Sequence, residues 1–269
     1  MTENTLYKKP RILAVANQKG GVGKTTTAVN LATALAAVKK KVLLVDVDPQ
    51  GNATTSLGIE RKTAPKNIYQ VITGEEKLSA AIIWSKIPNL SVIASGKALA
   101  GLDFELSTTK RPQFYLKQAL QRESVPYDYI IIDCPPTIGT LTINALVAAD
   151  AVLIPVQCEY LALEGVADLI KTVERVRQNF NPNLGIQGIV LTMFDSRNKL
   201  SDMVAQDVRA FFKDIVYRTV IPRNVRVSEA PSHGKPILIY DFKSAGAQAY
   251  ISLAKEVLKR EKGIRNERK

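Results

Sequence analysis

Residues 11–35 read RILAVANQKGGVGKTTTAVNLATAL. Residues 11–17 are short and apolar, as a strand buried on both faces is. Gly20, Gly21 and Gly23 follow at once. Ala28, Leu31, Ala32 and Leu35 then recur at helical spacing. A strand, a glycine loop and a helix joined without a spacer are a phosphate-binding unit within an α/β sheet. The glycines let backbone N–H groups approach an anion without Cβ clashes. The helix N-terminus adds its positive end. Gly23, Lys24 and Thr25 complete the pattern G-x-x-x-x-G-K-[ST], but Gln18 stands where its first glycine belongs. Lys19 is a second lysine that the pattern does not need.

The rest of the chain repeats the alternation. Strand-like runs lie at 11–17, 41–47, 90–95, 127–134, 151–157 and 185–194, with a shorter one at 219–221. Helical patterns lie at 24–38, 112–122, 140–148, 162–179, 200–213 and 244–262. This predicts an α/β fold of the P-loop NTPase kind: a twisted, mostly parallel sheet flanked by helices on both faces. Segment 58–111 is the least regular but carries no second core. One domain is therefore expected over 11–262, after a flexible segment 1–10 and before a basic tail 263–269 that frays.

Lys and Arg number 37 against 25 Asp and Glu, a formal charge of +12. Such an excess points to an anionic partner, a nucleic acid or an acidic membrane surface. Cys134 and Cys158 form no C-x-x-C pair or metal spacing, which predicts two buried small side chains in a reduced, cytoplasmic protein. The N-terminus has no apolar signal region, and no apolar run approaches the length of a membrane span. His233 sits in the turn-like SHGKP.

Within the loop, Lys19, Gly20, Gly21, Val22, Gly23, Lys24, Thr25 and Thr26 are the candidate nucleotide contacts. Lys24 is placed to reach the β- and γ-phosphates, and the Thr25 hydroxyl to ligate magnesium. Such a site wants carboxylates at the ends of neighbouring strands. LLVDVDPQGN supplies Asp46 and Asp48, and YIIIDCPP supplies Asp133. Asp46 and Asp48 are two apart and would share a face of an extended chain. A turn-capping role for Asp46 stays open.

KGGVGKTT, DVDPQGN, IIIDCPP, VLTMFD and IPRNVRVSEAPSHGKP together resemble the ParA/Soj chromosome-partitioning ATPases. These belong to the deviant Walker A group, with MinD and the nitrogenase iron protein. The resemblance runs from about residue 11 to 258, and the last motif is specific to the ParA/Soj branch. It implies a role for Lys19: crossing a dimer interface to the nucleotide of the other subunit, so that ATP joins a homodimer. It implies that Asp48 positions or activates the attacking water, that Asp46 and Asp133 support Mg2+, and that adenine lies near Met193, Pro222 and Asn224. It further implies a slow ATPase stimulated by a ParB/Spo0J-type centromere-binding partner. Relatives often carry Gly where Lys40 ends the first helix, so that helix end must differ here.

The resemblance also places Arg197, Arg226 and Lys243 at DNA-binding positions, with Arg223 and Lys235 nearby in sequence. No element reads as a base-reading helix, so binding to double-stranded DNA is expected to be non-specific, on the nucleoid. The C-terminus, EVLKREKGIRNERK, lacks the apolar face of a MinD-like membrane helix. The membrane-surface ATPase is therefore the lesser alternative.

Overall fold

The computed structural model of the chain describes residues 9–267 apart from Thr63. The expected flexible segment 1–10 thus lies, through residue 8, outside the described residues, as do residues 268 and 269 of the expected tail. The strands are β1 (Arg11–Val15), β2 (Val42–Asp46), β3 (Ile82–Trp84), β4 (Leu90–Ile93), β5 (Tyr129–Asp133), β6 (Ala151–Gln157), β7 (Gly185–Phe194) and β8 (Val216–Pro222). The helices are α1 (Lys24–Ala37), α2 (Asn52–Ser56), α3 (Ile68–Thr73), α4 (Leu102–Ser107), α5 (Tyr115–Arg122) and α6 (Thr140–Ala148), then α7 (Ala162–Asn179), α8 (Lys199–Phe212), α9 (Val225–Glu229), α10 (Ile237–Tyr240) and α11 (Ala245–Glu267).

The strands form one eight-stranded sheet in the order β3-β4-β2-β5-β1-β6-β7-β8. Every neighbouring pair is parallel except β3 with β4. Side chains of β1 alternate between faces. Leu13 and Val15 join α1 and α11, where Leu31, Leu35, Tyr250 and Leu253 are buried. Ile12 and Ala14 join the other face, beneath Leu116, Leu146 and Leu169 of α5, α6 and α7. Burial on both faces explains why these strands are continuously apolar.

β1 lies between β5 and β6, while its chain crosses over through α1 to β2 on the far side of β5. Ligands bind such sheets at the carboxyl ends of strands, where the winding direction reverses. Three strand ends meet there: Val15 pairs in register with Asp133, and Asp133 with Asp46.

The elements absent from the sequence reading are α2, α3, α4, α9, α10 and β3. Each is too short to show a period; β3 has three residues and α10 four. Helix α5 begins at Tyr115 rather than 112, because Arg111 is left-handed (φ 58) and Pro112 opens a 3-10 turn. Strand β8 is longer than expected, and α11 continues to Glu267, past the expected end at 262. Cys134 and Cys158 are both buried and unbridged.

Helix α1 ends without a glycine. Lys39 takes the left-handed conformation (φ 62), while its N–H and that of Lys40 bond back to Ala36 O and Leu35 O at 3.0 and 3.1 Å. This is a Schellman-type end with lysine in the glycine position. Replacing Lys39 by glycine should therefore stabilise the fold by about 1 kcal/mol, read as a higher urea midpoint with unchanged slope.

Candidate functional site

Gly23 is left-handed (φ 84) and precedes α1 without capping it through a side chain; no acidic residue occupies the first turn. Helices α3 and α8 instead carry asparagine caps, Asn67 and Asn198. The first N–H groups of α1 are thus left for an exogenous anion. Gly21 is also left-handed (φ 73). The loop is pinned from two sides. Thr192 Oγ1 donates to Val22 O at 2.9 Å, and Asn17 Nδ2 donates to Pro155 O at 2.7 Å.

A cleft of about 310 Å³ opens over this loop, lined by Gly20, Gly21, Lys24, Thr25, Asp48 and Gln50 among others. Lys24 is 7% exposed, and its Nζ donates to Lys19 O at 2.8 Å. Burial holds its pKa below the usual lysine value, against the opposing pull of Asp133, Cys134 and Asp48. A buried ammonium with one carbonyl partner can still donate to phosphate oxygens.

Asp133 is fully buried, and neither of its oxygens meets the geometric criterion for a hydrogen bond among the described residues. Burial, then the charge of Asp46, pushes its pKa well up, while Thr25 and Lys24 oppose the shift. An orphaned carboxylate there is costly unless a cation meets it. Among the described residues no group of three or more His, Cys, Asp or Glu side chains could hold a metal. Magnesium commonly takes one or two carboxylates and completes its shell with phosphate and water. Asp133, Thr25 and an open phosphate cleft fit that ion.

Asp46 is engaged differently. Its Oδ2 accepts Thr54 N at 2.8 Å and Thr54 Oγ1 at 2.6 Å, and its Oδ1 accepts Asp48 N at 3.2 Å. Burial raises its pKa to about 6, and these hydrogen bonds counter the rise. In this geometry Asp46 organises the turn after β2. Asp48 accepts Gln50 N on Oδ1 at 2.9 Å, and its Oδ2 accepts no hydrogen bond among the described residues.

A second cavity of about 490 Å³ adjoins the first through Gly23, Thr26 and Met193. It brings together Met193, Pro222 and Asn224, the three expected adenine neighbours. Asn224 Oδ1 is already used to cap α9, accepting Arg226 N at 2.9 Å. Thr192, Val227 and Tyr250 line the same cavity. Val227 lies within the quoted IPRNVRVSEAP motif, but Tyr250 gave no local signal.

Lys19 is exposed and lines neither cavity. Its Nζ donates to Tyr160 O at 3.1 Å, in the segment before α7.

The five expected DNA-contact residues lie beyond the carboxyl ends of β7 and β8. Arg197 forks onto Asp195, with two contacts of 2.9 Å. Its guanidinium holds the Asp195 carboxyl down at about 2. The loop bearing Arg223 is tied to β7 through Arg223 N and Phe194 O at 2.9 Å. Arg226 meets Glu229 at 3.1 Å and Asp241 at 3.7 Å, which brings it beside the segment of Lys243. Lys235 and Lys243 are exposed and form no ion pair among the described residues. His233 stacks on Tyr240 with centroids 4.9 Å apart.

A central-strand glycine loop, a bare helix end and a buried orphan carboxylate define a P-loop NTPase. The comparisons narrow this class. A family model described as an AAA domain matches residues 10–186. The chain is 56% identical over 254 residues to the chromosome partitioning protein ParA of Caulobacter vibrioides, covering 94% of this chain and 95% of that one. It is 53% identical to the sporulation initiation inhibitor protein Soj of Bacillus subtilis, covering 92% and 98%. Among solved structures, a cobyrinic acid a,c-diamide synthase from Mycobacterium smegmatis with bound ADP and magnesium superposes with a TM-score of 0.83. It is 38% identical, over 94% of this chain and 96% of that one. The chain belongs to the ParA/Soj family of chromosome-partitioning proteins.

Proposed function

We propose that the chain is an ATPase that dimerises on ATP, binds DNA without sequence preference, and drives chromosome or plasmid partitioning with a ParB-type partner. The observation that carries this reading is Lys19. It belongs to the phosphate loop yet lies outside its own cleft. Two triphosphate sites facing each other would concentrate negative charge, and one lysine from each side would neutralise it. ATP then favours the paired state by differential affinity, and its hydrolysis releases the pair.

In this reading Lys24 and the N–H groups of the loop bind the phosphates. Adenine enters the cavity of Met193, Pro222 and Asn224. Thr25 and Asp133 hold magnesium, and Asp46 supports them by fixing the turn between β2 and α2. Magnesium, when bound, neutralises charge on the β- and γ-phosphates. Asp48, with its free Oδ2, orients the attacking water. The family membership and the neighbour with bound ADP and magnesium support the nucleotide site.

Pairing would also double the basic surface of Arg197, Arg223, Arg226, Lys235 and Lys243. Among the described residues no helix is long and apolar enough to cross a membrane. Of the apolar residues described in α11, Tyr250, Leu253 and Val257 are buried in the core, and Ile251 and Leu258 pack partly buried against it. That disfavours the MinD-like alternative.

The test is DNA affinity measured with ATP, ADP and no nucleotide over a salt series. If each subunit neutralises two phosphates, the ATP state should show a log–log salt slope of about −3.6, and the other states a shallower one. Equal affinity and slope in all three states would refute the ATP switch.

A further inference from the structure

The loop that carries Asp48 is held by an arginine from outside the motif. Arg61 Nη2 donates to Pro49 O and Nη1 to Gln50 O, both at 2.6 Å. These are the two carbonyls immediately after Asp48. The guanidinium lies close against Gly51: a Cβ there would stand 2.3 Å from Arg61 Nε and 2.6 Å from its Cζ. Gly51 is also left-handed (φ 67). Its lack of a side chain therefore serves the turn and the arginine together. Arg61 Nε is buried with no acceptor among the described residues. The group is thus placed for its fork, at the expense of its third donor site.

Other contacts fix the opposite flank. Ser95 Oγ donates to Asp48 O at 2.6 Å, and Ser95 N donates to Thr54 Oγ1 at 3.0 Å. Thr54 in turn holds Asp46. In the turn before Arg61, Gly58 abuts Gly234; a Cβ on Gly58 would meet Gly234 O at 3.0 Å. Both flanks of the peptides after Asp48 are thus held. Their carbonyls turn to Arg61, while Gln50 N turns to Asp48 Oδ1. Without the fork, those carbonyl dipoles could rotate towards the phosphate cleft that Gln50 lines, where they would repel a triphosphate.

We propose that Arg61 is a positioning residue for Asp48. It orients the Pro49–Gln50 carbonyls away from the cleft and so sets the carboxylate for its action on water. This rests on the role given above to Asp48.

The test compares Arg61→Ala, Arg61→Lys and Asp48→Ala in ATP turnover stimulated by DNA and the partner, alongside the affinity for a fluorescent ADP. Arg61→Ala should lower kcat about 10- to 100-fold, the scale of a small misplacement of a reacting group. Affinity for ADP should stay within about threefold, since the loop of Lys24 is untouched. Added guanidinium ion should restore part of the turnover, and Arg61→Lys should fall between the two. Unchanged kcat in folded Arg61→Ala, or a joint fall of kcat, ADP affinity and melting temperature without rescue, would overturn the proposal. Should Arg61→Ala not fold, the same readings on Arg61→Lys decide. Normal turnover in Asp48→Ala would instead refute the role of Asp48 itself.

Discussion

Lys24→Ala should lose nucleotide binding while keeping its fold. The Lys24 ammonium is buried and, among the described residues, has a single carbonyl acceptor, Lys19 O. Its donors are therefore available to phosphate oxygens in a dry setting, where charge-assisted hydrogen bonds are strongest. Losing two such bonds at about 1.5–3 kcal/mol each weakens binding by more than a hundredfold. The apo protein should be little affected, because burial already disfavours that charge. The change removes a desolvation cost along with the attraction to Asp133. Calorimetric titration with ATP and a melting curve would check both halves. Normal affinity would show that the loop is not the phosphate site.

Lys19→Ala should have the opposite selectivity: nucleotide binding by the monomer persists, and ATP-dependent dimers disappear. Lys19 is exposed, and among the described residues its side chain hydrogen-bonds to a single group, the carbonyl Tyr160 O. Truncating it should cost the fold no more than about 0.5 kcal/mol, as surface changes do. A loss of pairing then cannot be assigned to misfolding. Sedimentation velocity with ATP would show wild type as dimer and Lys19→Ala as monomer. Dimers of undiminished stability in the variant would remove the cross-subunit contact from the account.

The sheet was legible because its strands are buried on both faces and therefore carry unbroken apolar runs. Six of its strands, β1, β2 and β4 to β7, fall within predicted runs. Apart from β4, the 58–111 segment was not legible, since α3 and α4 have six residues each and β3 has three. Too few positions repeat for a period to emerge, and long-range packing decides their form. The phosphate loop was legible because its chemistry is local: glycines, Lys24 and Thr25 adjoin in sequence. The roles of Asp46 and Asp48 could not be separated from spacing alone. Thr54, eight residues beyond Asp46, takes one Asp46 oxygen, leaving Asp48 with the free one. Arg61 carries no sequence signal for the same reason. Its partners are backbone carbonyls, which leave no trace in side-chain patterns.

The cross-subunit lysine can be tested by mixing two defective variants. Lys19→Ala keeps its own Lys24 and Asp48, and Asp48→Ala keeps a Lys19 to donate. If Lys19 acts on the partner's nucleotide, a mixed pair holds one complete pocket, and the mixture should hydrolyse ATP faster than the sum of the two variants alone. If Lys19 serves the pocket of its own chain, no complete pocket exists in any pairing, and a rate equal to that sum would contradict the account.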